Sequence, residues 1–143
     1  MGINWKSWFL TGLLAGVIVT IGGMVFAHFV LGPQFAETFF EKMGHRPTAA
    51  TMWVHIGIRM GFGLVAMFVY VSIRPRYGPG PRSALIAAAV VYVSAYLTLI
   101  KALADFGVIH GGQVWANVVG GAVEISVATL AGARLYRERR TTT

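Results

Sequence analysis

The sequence predicts an all-α integral membrane protein, namely an antiparallel four-helix transmembrane bundle with a short amphipathic surface helix in its first loop. Of its 143 residues, 56% are hydrophobic and only 12% are charged, whereas a soluble domain usually carries about 25% charged residues. Four apolar segments reach the roughly 20 residues that a membrane-spanning helix needs. They lack strand-like alternation and are too long for barrel strands. We therefore expect a single transmembrane domain, 1–143.

The first span is predicted over residues 8–31, where Gly12, Gly16 and Thr20 recur at four-residue spacing. Small residues at this spacing favour close helix contacts in membranes. The next segment, 33–43, repeats Phe35 and Phe39 on one helical face, with most of its charges on other faces. This pattern is typical of a helix lying on the membrane surface, and it also admits a lid over a cavity.

The second and third spans are predicted over 51–73 and 83–104. Gly57 and Gly61 give the second span another pair of small residues at four-residue spacing. The intervening segment, 74–82, contains three prolines and two glycines, which predicts a short turn with little helical content. A turn this short makes the two spans antiparallel neighbours.

The fourth span, predicted over 112–136, organises the rest of the chain. Every fourth residue falls on one stripe of a helix, and this stripe is small except at its centre: Ala116, Gly120, Glu124, Ala128 and Gly132. An unpaired carboxylate inside a membrane is costly. A neighbouring helix must therefore fill the stripe and supply a partner for Glu124.

Arg59 is the predicted partner of Glu124. With a helical rise of about 1.5 Å per residue, Glu124 lies about 18 Å below Gly112 and Arg59 about 12 Å below Thr51. An arginine side chain spans that difference in depth. Intramembrane charges usually face the bundle interior and pair with one another, so we expect a polar core of Arg59 and Glu124. Such a pair is consistent with a structural lock or with a functional role.

The basic residues lie on one side of the predicted bundle. Arginines are concentrated in the loop 74–82 and after the fourth span, whereas the other two loops have no basic excess. The positive-inside rule then places both termini of a multi-pass membrane protein in the cytoplasm. The net charge of +7 is therefore explained by topology and not by nucleic-acid binding.

Two histidines, His28 and His55, fall at similar predicted depths on the first and second spans. Histidines from facing helices can ligate a haem iron or, singly, the magnesium of a chlorophyll-type pigment. We note this pair as a candidate cofactor site. The four histidines show no close metal-ligand spacing and cysteine is absent, so no metal site is predicted.

The sequence resembles a group of short bacterial inner-membrane proteins with four predicted spans. The resemblance rests on the segment 73–81, the Val123-Glu124 pair and the segment 128–138. No activity is assigned to that group, so the resemblance implies none. It supports Glu124 and the proline-rich turn as features of the group.

Three functions remain open. No hydrolase, zinc-protease or acidic metal-cluster motif is present, so no enzyme is predicted. The small-residue faces exceed what one compact bundle needs, which favours an interaction module: a homo-oligomer or an accessory subunit that contacts other membrane proteins through Gly and Ala faces. The alternatives are a small proton-linked transporter using Glu124, Arg59 and His55, or an electron-transfer subunit that binds haem or pigment at His28 and His55.

Overall fold

The fold is the predicted all-α bundle. The computed structural model describes residues 3–32 and 34–138, and over these residues it contains no strand. Its five helices are α1 (Trp5–Leu31), α2 (Phe35–Met43), α3 (Ala49–Tyr77), α4 (Pro81–Asp105) and α5 (Gly112–Leu135). All but α2 are long and apolar enough to cross a membrane. The chain is a multi-pass membrane protein with four such helices.

Different segments of the chain form the two ends of the bundle. One end, here called the terminal end, holds Asn4, the turn at Gly78–Gly80 and Tyr136. There the backbone amide of Asn4 donates to the Tyr136 hydroxyl at 3.1 Å, so the two ends of the described chain meet. The opposite end, the loop end, holds α2 and the α4–α5 loop.

α1 and α3 pack closely because glycine faces glycine. A Cβ built on Gly63 of α3 would lie 2.6 Å from the Gly16 Cα of α1, and one built on Gly12 would lie 3.0 Å from the Leu64 Cα. Backbones approach this closely only where side chains are absent. The Gly12–Gly16 face predicted from the sequence is therefore used inside the chain, and Gly63 is its partner.

The stripe on α5 also packs within the chain. Ala128 is 1% exposed. A Cβ on Gly132 would lie 2.7 Å from the sulfur of Met67, and one on Gly120 would meet the ring of Phe26. These contacts join α5 to α3 and α1. Most of the small residues singled out on α1 and α5 are thus occupied by contacts within one molecule.

Gly57 and Gly61 behave differently from the other glycine pairs. A Cβ on either residue would meet no described atom within 4 Å. The small pair of α3 that the sequence suggests therefore faces away from the bundle, while Gly63 makes the internal contact. The difference is one of helix rotation, which depends on the neighbouring helices.

The predicted turn at 74–82 is wrong over its first half. α3 continues through Pro75 to Tyr77 and ends at Gly78, whose φ is +82° and whose amide donates to the Arg74 carbonyl at 2.8 Å. A proline in the last turn removes only one backbone donor. Glycine then adopts the positive φ that closes the helix. The α3–α4 connection is consequently shorter than the sequence suggests.

Two π-helical segments interrupt the long helices of the described chain, and neither was predicted from the sequence. They span Ala27–Leu31 at the end of α1 and Tyr92–Tyr96 in the middle of α4. A π segment adds a residue to the turn and rotates the side chains that follow, and such segments are frequent at functional sites. Tyr96, at the end of the second segment, lines a cavity between the helices.

Candidate functional site

An ion pair joins three helices near the middle of the bundle. The Arg59 guanidinium of α3 donates through Nη2 to the Glu124 carboxylate of α5 and to the Val19 carbonyl of α1. The Arg59 side chain is 15% exposed and that of Glu124 is 7% exposed. Arg59 and Glu124, whose predicted difference in depth an arginine side chain can span, thus lie in contact. Each compensates the charge of the other.

Two adjacent glycines of α1 make room for this pair. A Cβ on Gly22 would lie 3.3 Å from the Glu124 Cγ, and one on Gly23 would lie 2.7 Å from the Arg59 Cζ. The charged groups therefore lie directly against the α1 backbone. The role of Gly22 was not predicted from the sequence, although a Gly-Gly pair inside a predicted span marks the position.

The ion pair leaves hydrogen-bonding capacity unused. Contact is made through one nitrogen and one oxygen, whereas a guanidinium and a carboxylate can form two parallel hydrogen bonds. The Arg59 Nε is buried and has no hydrogen-bond partner among the described residues. An unpaired buried donor is costly. The hydrogen bonding of Arg59 is therefore incomplete when it is paired with Glu124.

The pair forms the polar part of an interhelical cavity of about 330 Å³. This volume is at the lower end of the range for small-molecule sites, about 300–1,000 Å³. Polar lining residues come from α1, α3, α4 and α5: Thr20, His55, Arg59, Tyr96, Asn117 and Glu124. The remaining walls are mostly apolar. A few convergent polar groups in an apolar cavity are typical of a ligand-binding site.

α2 and the α4–α5 loop border the cavity at the loop end. Phe35 and Phe39 of α2 contribute to the lining, as does Ile109 of the loop. Lys42 ties the two segments together, since its Nζ donates to the Val108 carbonyl at 3.3 Å and lies 2.6 Å from His110 Nε2. The amphipathic helix predicted from the sequence thus places its aromatic face against the cavity.

Tyr96 is held in position by a glycine contact and by its π-helical segment. A Cβ on Gly121 would lie 2.6 Å from the Tyr96 Cζ. Its neighbour Tyr92 stacks on it with ring centroids 5.9 Å apart and donates its hydroxyl to the Val118 carbonyl at 2.7 Å. The two tyrosines therefore pack along α5 on the side that carries Glu124, and Tyr96 becomes a wall of the cavity.

The structure separates the roles of the two candidate histidines. His55 lies one turn before Arg59 on α3 and lines the cavity. Both histidines are exposed. His28 packs edge-on against Phe29 with ring centroids 4.8 Å apart and is not a lining residue. Of the two, only His55 therefore lines the cavity that holds the Arg59–Glu124 pair.

Metal-ligating side chains do not cluster in this part of the protein. Over residues 3–32 and 34–138, no group of three or more His, Cys, Asp or Glu side chains is arranged to hold a metal ion. The chemistry that the site offers is ion pairing and hydrogen bonding, with Glu124 and His55 as groups able to exchange protons.

Comparison of the chain with protein-family models, with curated proteins and with solved structures finds no match.

Proposed function

We propose that this protein is a small proton-linked carrier whose substrate binds in the cavity between α1, α3, α4 and α5. The observation that carries the proposal is the position of the Arg59–Glu124 pair. It lines a cavity large enough for a small molecule, inside helices long enough to span a membrane. Ionisable side chains at such positions commonly serve substrate or proton pathways.

The chemistry of the pair supports proton coupling. An arginine keeps its proton under all ordinary conditions, whereas a glutamate can take one up. Protonation of Glu124 would break the ion pair and leave Arg59 with an uncompensated charge. A substrate that compensates the charge of Arg59 then binds together with the proton. His55, which lines the same cavity, is a second group through which a proton can reach Glu124.

The cellular setting follows from the charge distribution. We place the protein in the bacterial inner membrane, in keeping with its resemblance to short bacterial inner-membrane proteins. The terminal end faces the cytoplasm in this proposal, because arginines are concentrated at that end. Arg74 of α3 and Glu138 beyond α5 form an ion pair there at 3.1 Å. In this orientation the cavity lies toward the outer half of the membrane, beneath α2.

The test is proton movement in liposomes that contain the purified protein and a trapped pH-sensitive dye. Membrane-impermeant solutes of similar size and different charge are added outside: hexanesulfonate, hexyltrimethylammonium and phenylalanine. We expect at least one of them to acidify the lumen, and we expect Glu124→Gln to abolish this. Asp105→Asn is the matched control, since it removes one charge from the exposed Lys101–Asp105 pair. Unchanged acidification by Glu124→Gln, or no response to any solute, would end the carrier proposal.

An interaction module is the second candidate, and the open glycines of α3 favour it. Gly57 and Gly61 face no described atom within 4 Å, so a helix of a second copy or of another membrane protein can approach them closely. Most of the small residues on α1 and α5 already pack within the chain. The carrier is therefore the better-supported proposal, and association through α3 is compatible with it.

A further inference from the structure

We infer that the substrate is a small amphipathic monoanion, whose head group replaces Glu124 on Arg59 while Glu124 takes up a proton. This inference rests on the proposed carrier function and names the substrate class of the same site. It follows from the charge balance of the Arg59–Glu124 pair and from the size and lining of the cavity.

Charge balance selects the sign of the substrate. The Arg59–Glu124 pair has no net charge when the two side chains form their ion pair. A bound anion keeps the site neutral if Glu124 is protonated at the same time. A bound cation would add a positive charge to a site whose arginine cannot lose its proton. Since uncompensated charge is costly away from water, the site favours an anion.

Binding of the anion and the proton conserves the net charge of the site. One proton from solution binds the Glu124 carboxylate, which then withdraws from Nη2 of Arg59. One anion from solution pairs with the Arg59 guanidinium. No covalent bond to carbon forms or breaks, and the net charge of the site is the same before and after binding.

The other groups facing Glu124 do not offer a competing carboxylate. Among the described lining residues, α3 supplies Arg59 and His55, and α4 supplies Tyr96. α1 contributes the Val19 carbonyl to Arg59 and no titratable side chain to the lining, and the α2 lining residues are phenylalanines. Glu124 is thus the only carboxylate lining the cavity in this part of the chain, and a protonation linked to anion binding is expected there.

The geometry of Arg59 supports an incoming anion. Glu124 holds the guanidinium through Nη2, so a protonated Glu124 that withdraws leaves this nitrogen as a donor. A carboxylate or sulfonate oxygen of the ligand can then accept the charge-assisted hydrogen bond from Nη2 in place of Glu124.

The cavity also limits the size and character of the substrate. Its volume of about 330 Å³ lies at the lower end of the range for small-molecule sites, about 300–1,000 Å³, so the substrate is small. Beyond the charged pair, apolar side chains bound the cavity, among them Leu31, Phe35, Leu99 and Leu103. A single anionic head with a short apolar tail matches both the volume and the lining.

Hexanesulfonate tests this inference because it is a small amphipathic anion that remains ionised, so any proton taken up on binding comes to the protein. Binding is measured by calorimetry with the protein in nanodiscs of zwitterionic lipid, in two buffers of different ionisation enthalpy. Empty nanodiscs correct for partition into lipid. We expect uptake of about one proton per bound anion and, over the pH range of that uptake, about a tenfold gain in affinity per unit decrease in pH.

Three variants separate the parts of the inference. Glu124→Gln imitates the protonated carboxyl, so it should bind hexanesulfonate with no proton uptake and with an affinity independent of pH. Arg59→Gln should lose binding. Asp105→Asn, on the exposed pair, should behave like the unchanged protein. Binding by Glu124→Gln itself reports that the variant is folded.

The outcomes distinguish this inference from the carrier proposal. If hexyltrimethylammonium or phenylalanine gives Glu124-dependent acidification in liposomes and hexanesulfonate does not bind, the carrier stands and the anionic substrate class is wrong. Hexanesulfonate binding without proton uptake also overturns the exchange at Arg59. If no solute moves protons and none binds, both proposals fail.

Discussion

Gly63 of α3 lies directly against the backbone of Gly16 in α1, since a Cβ at position 63 would stand 2.6 Å from the Gly16 Cα and 2.5 Å from the Gly12 carbonyl oxygen. The atoms in the way are backbone and cannot move aside as a flexible side chain can. The contact lies on the terminal side of the Arg59–Glu124 pair, and it holds the two helices that carry Arg59 and its Val19 hydrogen-bond partner.

Gly63→Ala should therefore destabilise the bundle, with a loss of about 1–3 kcal/mol as for other overpacked sites. Thermal unfolding of the detergent-solubilised protein measures the change. Gly61→Ala is the matched control two residues away on the same helix, because its added methyl group meets no described atom. Equal unfolding temperatures for the two variants would show that the α1–α3 contact is looser than described.

Removing one member of the Arg59–Glu124 pair tests its structural role. Each side chain is largely buried, so Arg59→Gln should lower the free energy of unfolding by about 3–5 kcal/mol, the usual range when one partner of a buried pair is lost. Exchanging the two residues restores the pair with reversed polarity and should recover most of this loss. Chemical unfolding in detergent compares the variants.

The exchange also separates a structural lock from a carrier. If the pair only fixes α3 to α5, the protein with the two residues exchanged should retain its activity. A carrier in which Glu124 is the proton acceptor should lose coupled flux in the swapped protein, because the carboxylate then projects from α3. Full flux after the swap would count against the proposed mechanism.

The orientation of the bundle can be read from chemical labelling. The chain has no cysteine, so single cysteines placed at Glu41 in α2 and at Arg82 after the α3–α4 turn are unique targets. Both residues are exposed and lie at opposite ends of the bundle. We expect a membrane-impermeant maleimide to label Glu41→Cys from outside intact cells, and Arg82→Cys only after lysis. The reverse pattern would place the termini outside.

Association through α3 is tested by enlarging its open glycines. Gly57→Leu fills space that is empty in the single chain, so it should leave the monomer folded. If a second helix packs there, native mass spectrometry should show a smaller assembly than the unchanged protein forms. An identical assembly mass for both proteins would remove the support that these glycines lend to an interaction module.

The candidate haem site at His28 and His55 is tested by an absorption spectrum. His28 does not line the cavity that His55 lines, so we expect the purified protein to show no Soret absorption band. A Soret band that disappears on replacing either histidine with alanine would contradict this expectation and establish the haem site.

The number of spanning helices and their antiparallel order can be predicted from the sequence alone. Segment length and apolar composition decide whether a helix crosses a membrane, and both can be read residue by residue. The surface helix follows in the same way from the spacing of Phe35 and Phe39. Depth also follows from the helical rise, which is why the sequence alone singles out Arg59 and Glu124 as partners.

The rotation of each helix about its axis, in contrast, depends on packing against the other helices. α3 carries glycines on more than one face, and the sequence does not say which of them meets α1; packing selects Gly63 and leaves Gly57 and Gly61 open. The cavity depends on similar choices. The π segment before Leu97 and the contact with Gly121 place Tyr96 in its wall. These features arise from contacts between helices, and no single helix contains the information that fixes them.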